Sequence, residues 1–225
     1  MELLIDFWQF ILASVDFFLH LDRSLQGVIA QYGTLTYVIL FAVIFAETGL
    51  VVTPILPGDS LLFAAGALSV STGLNPVFLF LLLSLAAILG DAVNYTVGAI
   101  IGKRAFSGDI KFLKKEYLDK THAFYEKYGN KTIVLARFVP IVRTFAPFVA
   151  GVGKMSYRQF GTYNIVGGIF WVGLMISSGY FFGEIPFVKK NFEIVILAII
   201  FISILPAIFE YWKARSSAGN NLGQQ

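Results

Sequence analysis

From Ser60 to Gly90 the chain carries no Asp, Glu, Lys or Arg, and charge-free apolar windows recur from Ser24 to Ala46, from Gln159 to Gly183 and from Ile194 to Phe209. A helix needs about 20 apolar residues to cross the hydrocarbon of a bilayer. Windows of this length constrain the fold more than any other feature, because lipid is the solvent that tolerates them. Hydrophobic residues make up 57% of the 225 and charged residues 14%, against about 25% charged in a soluble domain. A soluble enzyme is excluded on that count. The formal charge of +3 is too small a bias for a nucleic-acid partner, and no nucleic-acid-reading motif is present. The absence of cysteine removes disulfides, thiolate chemistry and Cys-ligated zinc.

Two apolar stretches cannot be plain spanning helices. One runs from Phe45 through Glu47, Pro54, Pro57 and Gly58 to Asp59; the other from Ala136 through Arg137, Pro140, Arg143 and Pro147 to Gly151. Proline removes a backbone donor and clashes with the preceding turn, so each stretch is expected to break inside the membrane at Pro54, Pro57 and Gly58, and at Pro140 and Pro147. Unwound backbone at that depth must be covered by protein or by a watered cavity, so the two breaks should meet. Each also carries charge, Glu47 and Asp59 on one and Arg137 and Arg143 on the other. A lone charge at the bilayer centre costs about 2.5 to 3.5 kcal/mol or more. Pairing or water must offset that cost. The bland reading is a set of salt bridges that orient the two segments. The functional reading is capture of an anionic headgroup, because guanidinium matches phosphate oxygens bidentately and stays charged, with Glu47 and Asp59 as proton sites.

Near the inner end of a crossing helix, Asp91, Tyr95, Gly98 and Gly102 share a face. The glycines read as packing positions and Asp91 as a side chain in need of a partner. Gly161, Gly167, Gly168 and Gly173 read as further packing notches. His20 and His122 read as interfacial surface residues.

The segment from Lys103 to Lys131 holds eight of the 17 basic residues. By the positive-inside rule it is cytoplasmic. Following the chain from it puts 12 basic residues in the cytoplasm and Lys189 and Lys190 outside, with Lys213 and Arg215 placing the C-terminus inside. Ile110, Leu113, Tyr117, Thr121, Phe124 and Tyr128 give this segment, 103–131, an amphipathic helical pattern. Residues 1–31 form an amphipathic N-terminal element in which Glu2, Asp6, Gln9, Asp16 and His20 make a polar stripe. Two readings of it stay open: a helix lying on the membrane, or a slightly polar first span. Residues 216–225 read as a disordered tail.

These features define an all-α polytopic integral membrane protein. Two opposed re-entrant helical hairpins, about 34–74 and 132–153, give it an inverted-repeat-like transporter architecture within a membrane domain of 32–215. Three sets of residues carry a resemblance to a known family: Glu47 to Asp59 with its Pro57-Gly58-Asp59; Gly90-Asp91 followed by Tyr95, Gly98 and Gly102; and Arg137-Phe138-Val139-Pro140 leading to Arg143-Thr144, Pro147 and Ala150-Gly151. Over about Tyr32 to Tyr211 the chain resembles the DedA family of bacterial membrane proteins, related to the SNARE-associated Golgi protein, or VTT domain, group. The resemblance implies facing re-entrant hairpins, an inner-membrane location, dependence on the proton motive force and, for several members, translocation of undecaprenyl phosphate or other phospholipids. It also implies that Glu47, Asp59, Arg137 and Arg143 are essential; Asp91, Tyr95 and Thr144 are read beside them as supporting residues.

The leading expectation is therefore a proton-coupled lipid carrier that recycles undecaprenyl phosphate and supports envelope homeostasis. Arg137 and Arg143 hold phosphate, and Glu47 and Asp59 couple protons. Its partners are membrane lipids, the polyprenyl phosphate, protons and a possible second copy, with no cofactor and no metal. The alternative is a proton-coupled antiporter for cations or cationic drugs, in which the acids act directly. A lipid phosphatase would need a nucleophile and a general acid, and neither histidine lies near the arginine segment. The chain is thus expected to be no enzyme.

Overall fold

The computed structural model describes residues 21–50, 58–101, 121–122, 125–126, 128–199 and 201. Outside them lie the polar stripe of the N-terminal element, Pro54 and Pro57, most of the 103–131 segment, the last crossing beyond residue 201, and the 216–225 tail. Among the described residues all regular structure is helical: α1 (Leu21–Tyr32), α2 (Leu35–Gly49), α3 (Gly58–Thr72), α4 (Pro76–Ile101), α5 (Thr132–Leu135), α6 (Pro140–Val152), α7 (Tyr157–Phe182) and α8 (Pro186–Lys190). Residues 192–199 are helical as well.

Local chemistry sets the boundaries. Gly33, at φ 55°, ends α1 with its amide bonded to the Ile29 carbonyl at 2.9 Å, so the uncharged window from Ser24 to Ala46 is two helices rather than one span. Gly73, at φ 76°, ends α3. Asn75 then caps α4: its Oδ1 accepts from the amides of Val77 at 2.9 Å and Phe78 at 3.0 Å, and Pro76 fills the first helical position, where its missing N–H is no loss.

α4 and α7 each contain 26 residues with window hydropathies of 2.2 and 1.7. At 1.5 Å per residue each is about 39 Å long, more than the ~30 Å hydrocarbon thickness. Along α4 the exposed side chains Val77, Leu81, Leu85, Leu89, Val93 and Val97 recur every fourth residue. The buried face of the same helix carries Gly90, Asp91, Asn94 and Gly98. Apolar outside with charge and amide inside inverts the polarity of a soluble helix and matches a lipid surround.

Two compact units are present. The first draws on the described residues within Met1–Val43, Pro57–Ser84 and Val172–Ile200. α3 is buried almost all round. It lies so close to α7 that a Cβ on Gly66 would collide with the Ile176 carbonyl, and one on Gly179 with that of Phe63. Small residues thus let two backbones touch, the device that replaces hydrophobic drive in lipid.

The second unit draws on the described residues within Ile44–Leu56, Leu85–Trp171 and Phe201–Gln225. Its apolar core gathers Tyr95, Ile133, Ala136, Val142, Ala146 and Phe160. A Cβ on Gly98 would meet the Phe148 carbonyl and one on Gly151 that of Tyr95, so α4 and α6 are in backbone contact. Gly167 and Gly168 face Arg137, as packing notches should, whereas among the described residues nothing lies within 4 Å of a Cβ on Gly161.

The break in the second proline-bearing stretch falls at one proline, not two. After α5 the chain makes a 3-10 turn over Ala136–Phe138, Val139 is extended at φ −124°, ψ 103°, and Pro140 opens α6. Proline disfavours the helical conformation in the residue before it, which places the break at Val139. Pro147, expected to break the chain again, sits inside α6 without ending it. It removes the donor that would serve the Arg143 carbonyl, and beside that position Asn94 Nδ2 donates to the Thr144 carbonyl at 2.9 Å. Gly58 is the first residue of α3, and the break expected at Pro54 and Pro57 lies outside the described residues.

Candidate functional site: two buried ion pairs on one indole

Glu47 lies in the last turn of α2 and Arg143 in the first turns of α6. Arg143 Nη2 donates to Glu47 Oε1 at 2.6 Å, with the side chains 15% and 4% exposed. Pro140 makes this meeting possible by restarting the helix three residues before Arg143.

Arg137, on the 3-10 turn, is held from two sides. Its Nη2 donates to Asp91 Oδ2 at 2.5 Å and to Asn164 Oδ1 at 2.6 Å, and its side chain is 3% exposed. Asn164 Nδ2 in turn donates to the Ile88 carbonyl at 3.0 Å, which fixes the amide so that its oxygen faces the guanidinium. A Cβ on Gly167 would come within 3.1 Å of Arg137 Nε, and one on Gly168 within 3.4 Å of Nη2, so these glycines make the room that Arg137 occupies.

The ring of Trp171, fully buried, serves both cations: its centroid is 5.8 Å from the Arg137 guanidinium carbon and 5.3 Å from that of Arg143. The ring face is electron-rich and attracts cations, most strongly where water is excluded. Two carboxylates and two guanidiniums thus form a neutral set around one indole.

Asn94, also fully buried, ties the same helices through their backbones. Its Nδ2 donates to the carbonyls of Thr48 at 3.1 Å and Thr144 at 2.9 Å, next to Glu47 and Arg143 in sequence. A Cβ on Gly90 would collide with Thr48 Oγ1, which fixes how closely α2 and α4 approach.

The expected residues divide accordingly. Glu47, Arg143, Asp91 and Arg137 come together in the second unit. Thr144 contributes through its carbonyl. Tyr95 turns elsewhere, donating to the Met155 carbonyl and stacking on Phe160 at 4.4 Å. Asp59 sits in the first turn of α3, in the first unit, where a helix N-terminus favours an acid. Tyr125 donates to the Ala146 carbonyl at 2.9 Å; burial, with Asp91 adding to it, pushes this hydroxyl above the ordinary phenol range and keeps it a donor. Among the described residues no group of three or more His, Asp or Glu could hold a metal ion.

Asn94, Asn164 and Trp171 were not legible as site residues. The two amides had a signal, since each interrupts an apolar helix where a polar group needs a partner. Trp171 had none, standing in an apolar run as any core aromatic does.

Apolar outer faces, spanning-length helices and charges paired inside define an integral membrane protein. The chain belongs to the DedA family of membrane proteins: the VTT domain matches residues 56–181, in keeping with the expectation from its motifs. It is 56% identical to Protein DedA of Escherichia coli over 207 residues, 91% of this chain and 94% of that one. A membrane protein of Mycobacterium tuberculosis is 47% identical over 186 residues, 80% of this chain and 81% of the relative. Inner membrane protein YghB of Escherichia coli is 33% identical over 174 residues, 77% and 78% of the two chains. No solved structure matches the chain.

Proposed function

We propose that the chain is a carrier of the bacterial inner membrane that moves a lipid phosphate, undecaprenyl phosphate in the leading case, between leaflets by exchanging the partner of Arg143. The relatives' names as membrane and inner membrane proteins support the location. The observation that carries the mechanism is the Arg143–Glu47 contact at 2.6 Å, in which the arginine is the more open member.

A phosphate reaching Arg143 competes with Glu47 for the guanidinium and offers two oxygens to it. Glu47, once displaced, is a buried carboxylate without its cation, a state costly enough that a proton neutralises it. Proton uptake at Glu47 is thereby tied to occupancy, with Asp59 the second proton site in this reading. Arg137, fixed by Asp91, Asn164 and Trp171, supplies positive field from a set position and binds phosphate after Arg143 does. The α2–α3 and α5–α6 stretches act as two re-entrant hairpins, and the cycle uses no covalent chemistry, which makes the protein a carrier rather than an enzyme.

The test is translocation of labelled undecaprenyl phosphate in proteoliposomes under an imposed pH gradient. Arg143→Gln is expected to abolish transport, and Glu47→Gln to leave exchange that no longer follows the gradient. Full transport by Arg143→Gln would overturn the mechanism. Cation efflux that survives replacement of both arginines would turn the assignment to an antiporter.

A further inference from the structure

We propose that the second unit carries another anion site, for the phosphate group of an amphiphile, at the end of α6 opposite to Arg143. Its role as the landing point of a transported lipid rests on the carrier reading; binding itself does not.

A cavity of about 530 Å³ opens where α6 ends and α7 begins, within the 300 to 1,000 Å³ range of ligand sites. Lys154, Ser156, Gln159, His122 and Tyr125 give it polar lining, while Val149, Val152 and Met155 give it an apolar wall. That mixture suits a charged group attached to hydrocarbon better than a free ion or a bare chain.

The backbone singles out Lys154. α6 closes with the Met155 amide on the Ala150 carbonyl at 3.0 Å and the Lys154 amide on that of Gly151 at 3.0 Å. This closure sets one residue in the left-handed region, a position that glycine usually fills. Here it is Lys154, at φ 56°, the one non-glycine residue with positive φ among those described. A strained backbone beneath a cation at a cavity wall is a reason to look for what the cation holds. Among the described residues Lys154 has no ion-pair partner. Glu126 stands 3.5 Å from Nδ1 of His122, another residue of the lining.

Depth agrees. Arg143 and Gly153 are ten residues apart along α6 and its cap, about 15 Å at 1.5 Å per residue, which is half the ~30 Å hydrocarbon thickness. With Arg143 at the midplane, the cavity lies at the headgroup level of the leaflet that Lys154, Arg158 and Lys131 mark as cytoplasmic.

The experiment uses the purified full chain in phosphatidylcholine nanodiscs, titrated with phosphatidic acid and separately with inorganic phosphate, with bound phosphorus followed by NMR. Lys154→Gly removes the charge and gives the backbone the residue its φ favours, so the fold is retained. It is expected to weaken phosphatidic acid binding about ten-fold, the loss of one charge-assisted contact, and Ser156→Ala to weaken it less. Competition by inorganic phosphate would assign recognition to the anion alone. Its failure to compete would assign it to the headgroup held with its chains; both support the site. Binding by Lys154→Gly within two-fold of the parent, or equal retention of phosphatidylcholine, would overturn it. Replacing Glu47 and Arg143 together by Gln, which leaves neither charge uncompensated, separates the two readings: the Lys154-dependent part of phosphatidic acid binding should persist while translocation fails. If the double variant translocates, the carrier mechanism falls and the Lys154 result stands by itself.

Discussion

Asn164 holds Arg137 by a 2.6 Å contact between its amide oxygen and the guanidinium, from the first third of α7. The amide serves as a neutral second acceptor for a cation whose first acceptor, Asp91, is already engaged. Replacing Asn164 by Leu strands part of the guanidinium in a dry site. We expect a loss of about 1.5 to 3 kcal/mol, as for a hydrogen bond to a charged group, read as a lowered unfolding temperature in detergent. Asn164→Gln should recover less than half of it, because the longer side chain moves the oxygen away from a fixed partner.

Glu47 and Arg143 should behave as a coupled pair. Removing one partner of a buried pair costs about 3 to 5 kcal/mol, since the other is left uncompensated. Glu47→Gln and Arg143→Gln should each destabilise strongly, and the double replacement should be more stable than the sum of the two predicts. A double-mutant cycle of thermal unfolding measures the difference, and additive singles would refute direct pairing.

Two glycines on neighbouring helices should respond oppositely to alanine. At Gly98 the new Cβ meets the Phe148 carbonyl, whereas at Gly161 it meets nothing within 4 Å among the described residues. Gly98→Ala is expected to cost about 1 to 3 kcal/mol, as overpacking does, and Gly161→Ala to gain about 0.5 to 1 kcal/mol from helix propensity. Unfolding temperatures of the two variants, compared in one detergent, check the sign of each.

Leu89, on the exposed stripe of α4, tests the lipid-facing assignment. A lysine there adds about 2.5 to 3.5 kcal/mol to insertion if it lies near the bilayer centre, so the membrane-integrated fraction of Leu89→Lys should fall well below that of Leu89→Ala. Equal fractions would mean that this face meets protein or water.

The spanning helices and the break at Pro140 could be read from the sequence, because window length, charge exclusion and proline chemistry act locally. The pairing could not. Charges flanking the breaks pointed to Glu47 pairing with one arginine and Asp59 with the other, without saying which; Glu47 meets Arg143, and the acid on Arg137 proved to be Asp91, a residue whose need for a partner was visible and whose partner was not. Pairing depends on how two helices are rotated toward each other, which a stripe of small residues permits without specifying. Pro147 misled for a related reason: a ring that breaks an isolated helix is carried inside α6, where the surrounding packing, invisible in the sequence, holds the helix together.

The order of the paired residues bears on how the protein is made. Asp91 precedes Arg137 by 46 residues and Glu47 precedes Arg143 by 96, so during translation both acids emerge well before either base. The nascent chain must therefore commit α4 to lipid on its leucines and valines alone, with an unneutralised carboxyl aboard, and charge balance arrives only when the second half of the polypeptide leaves the ribosome.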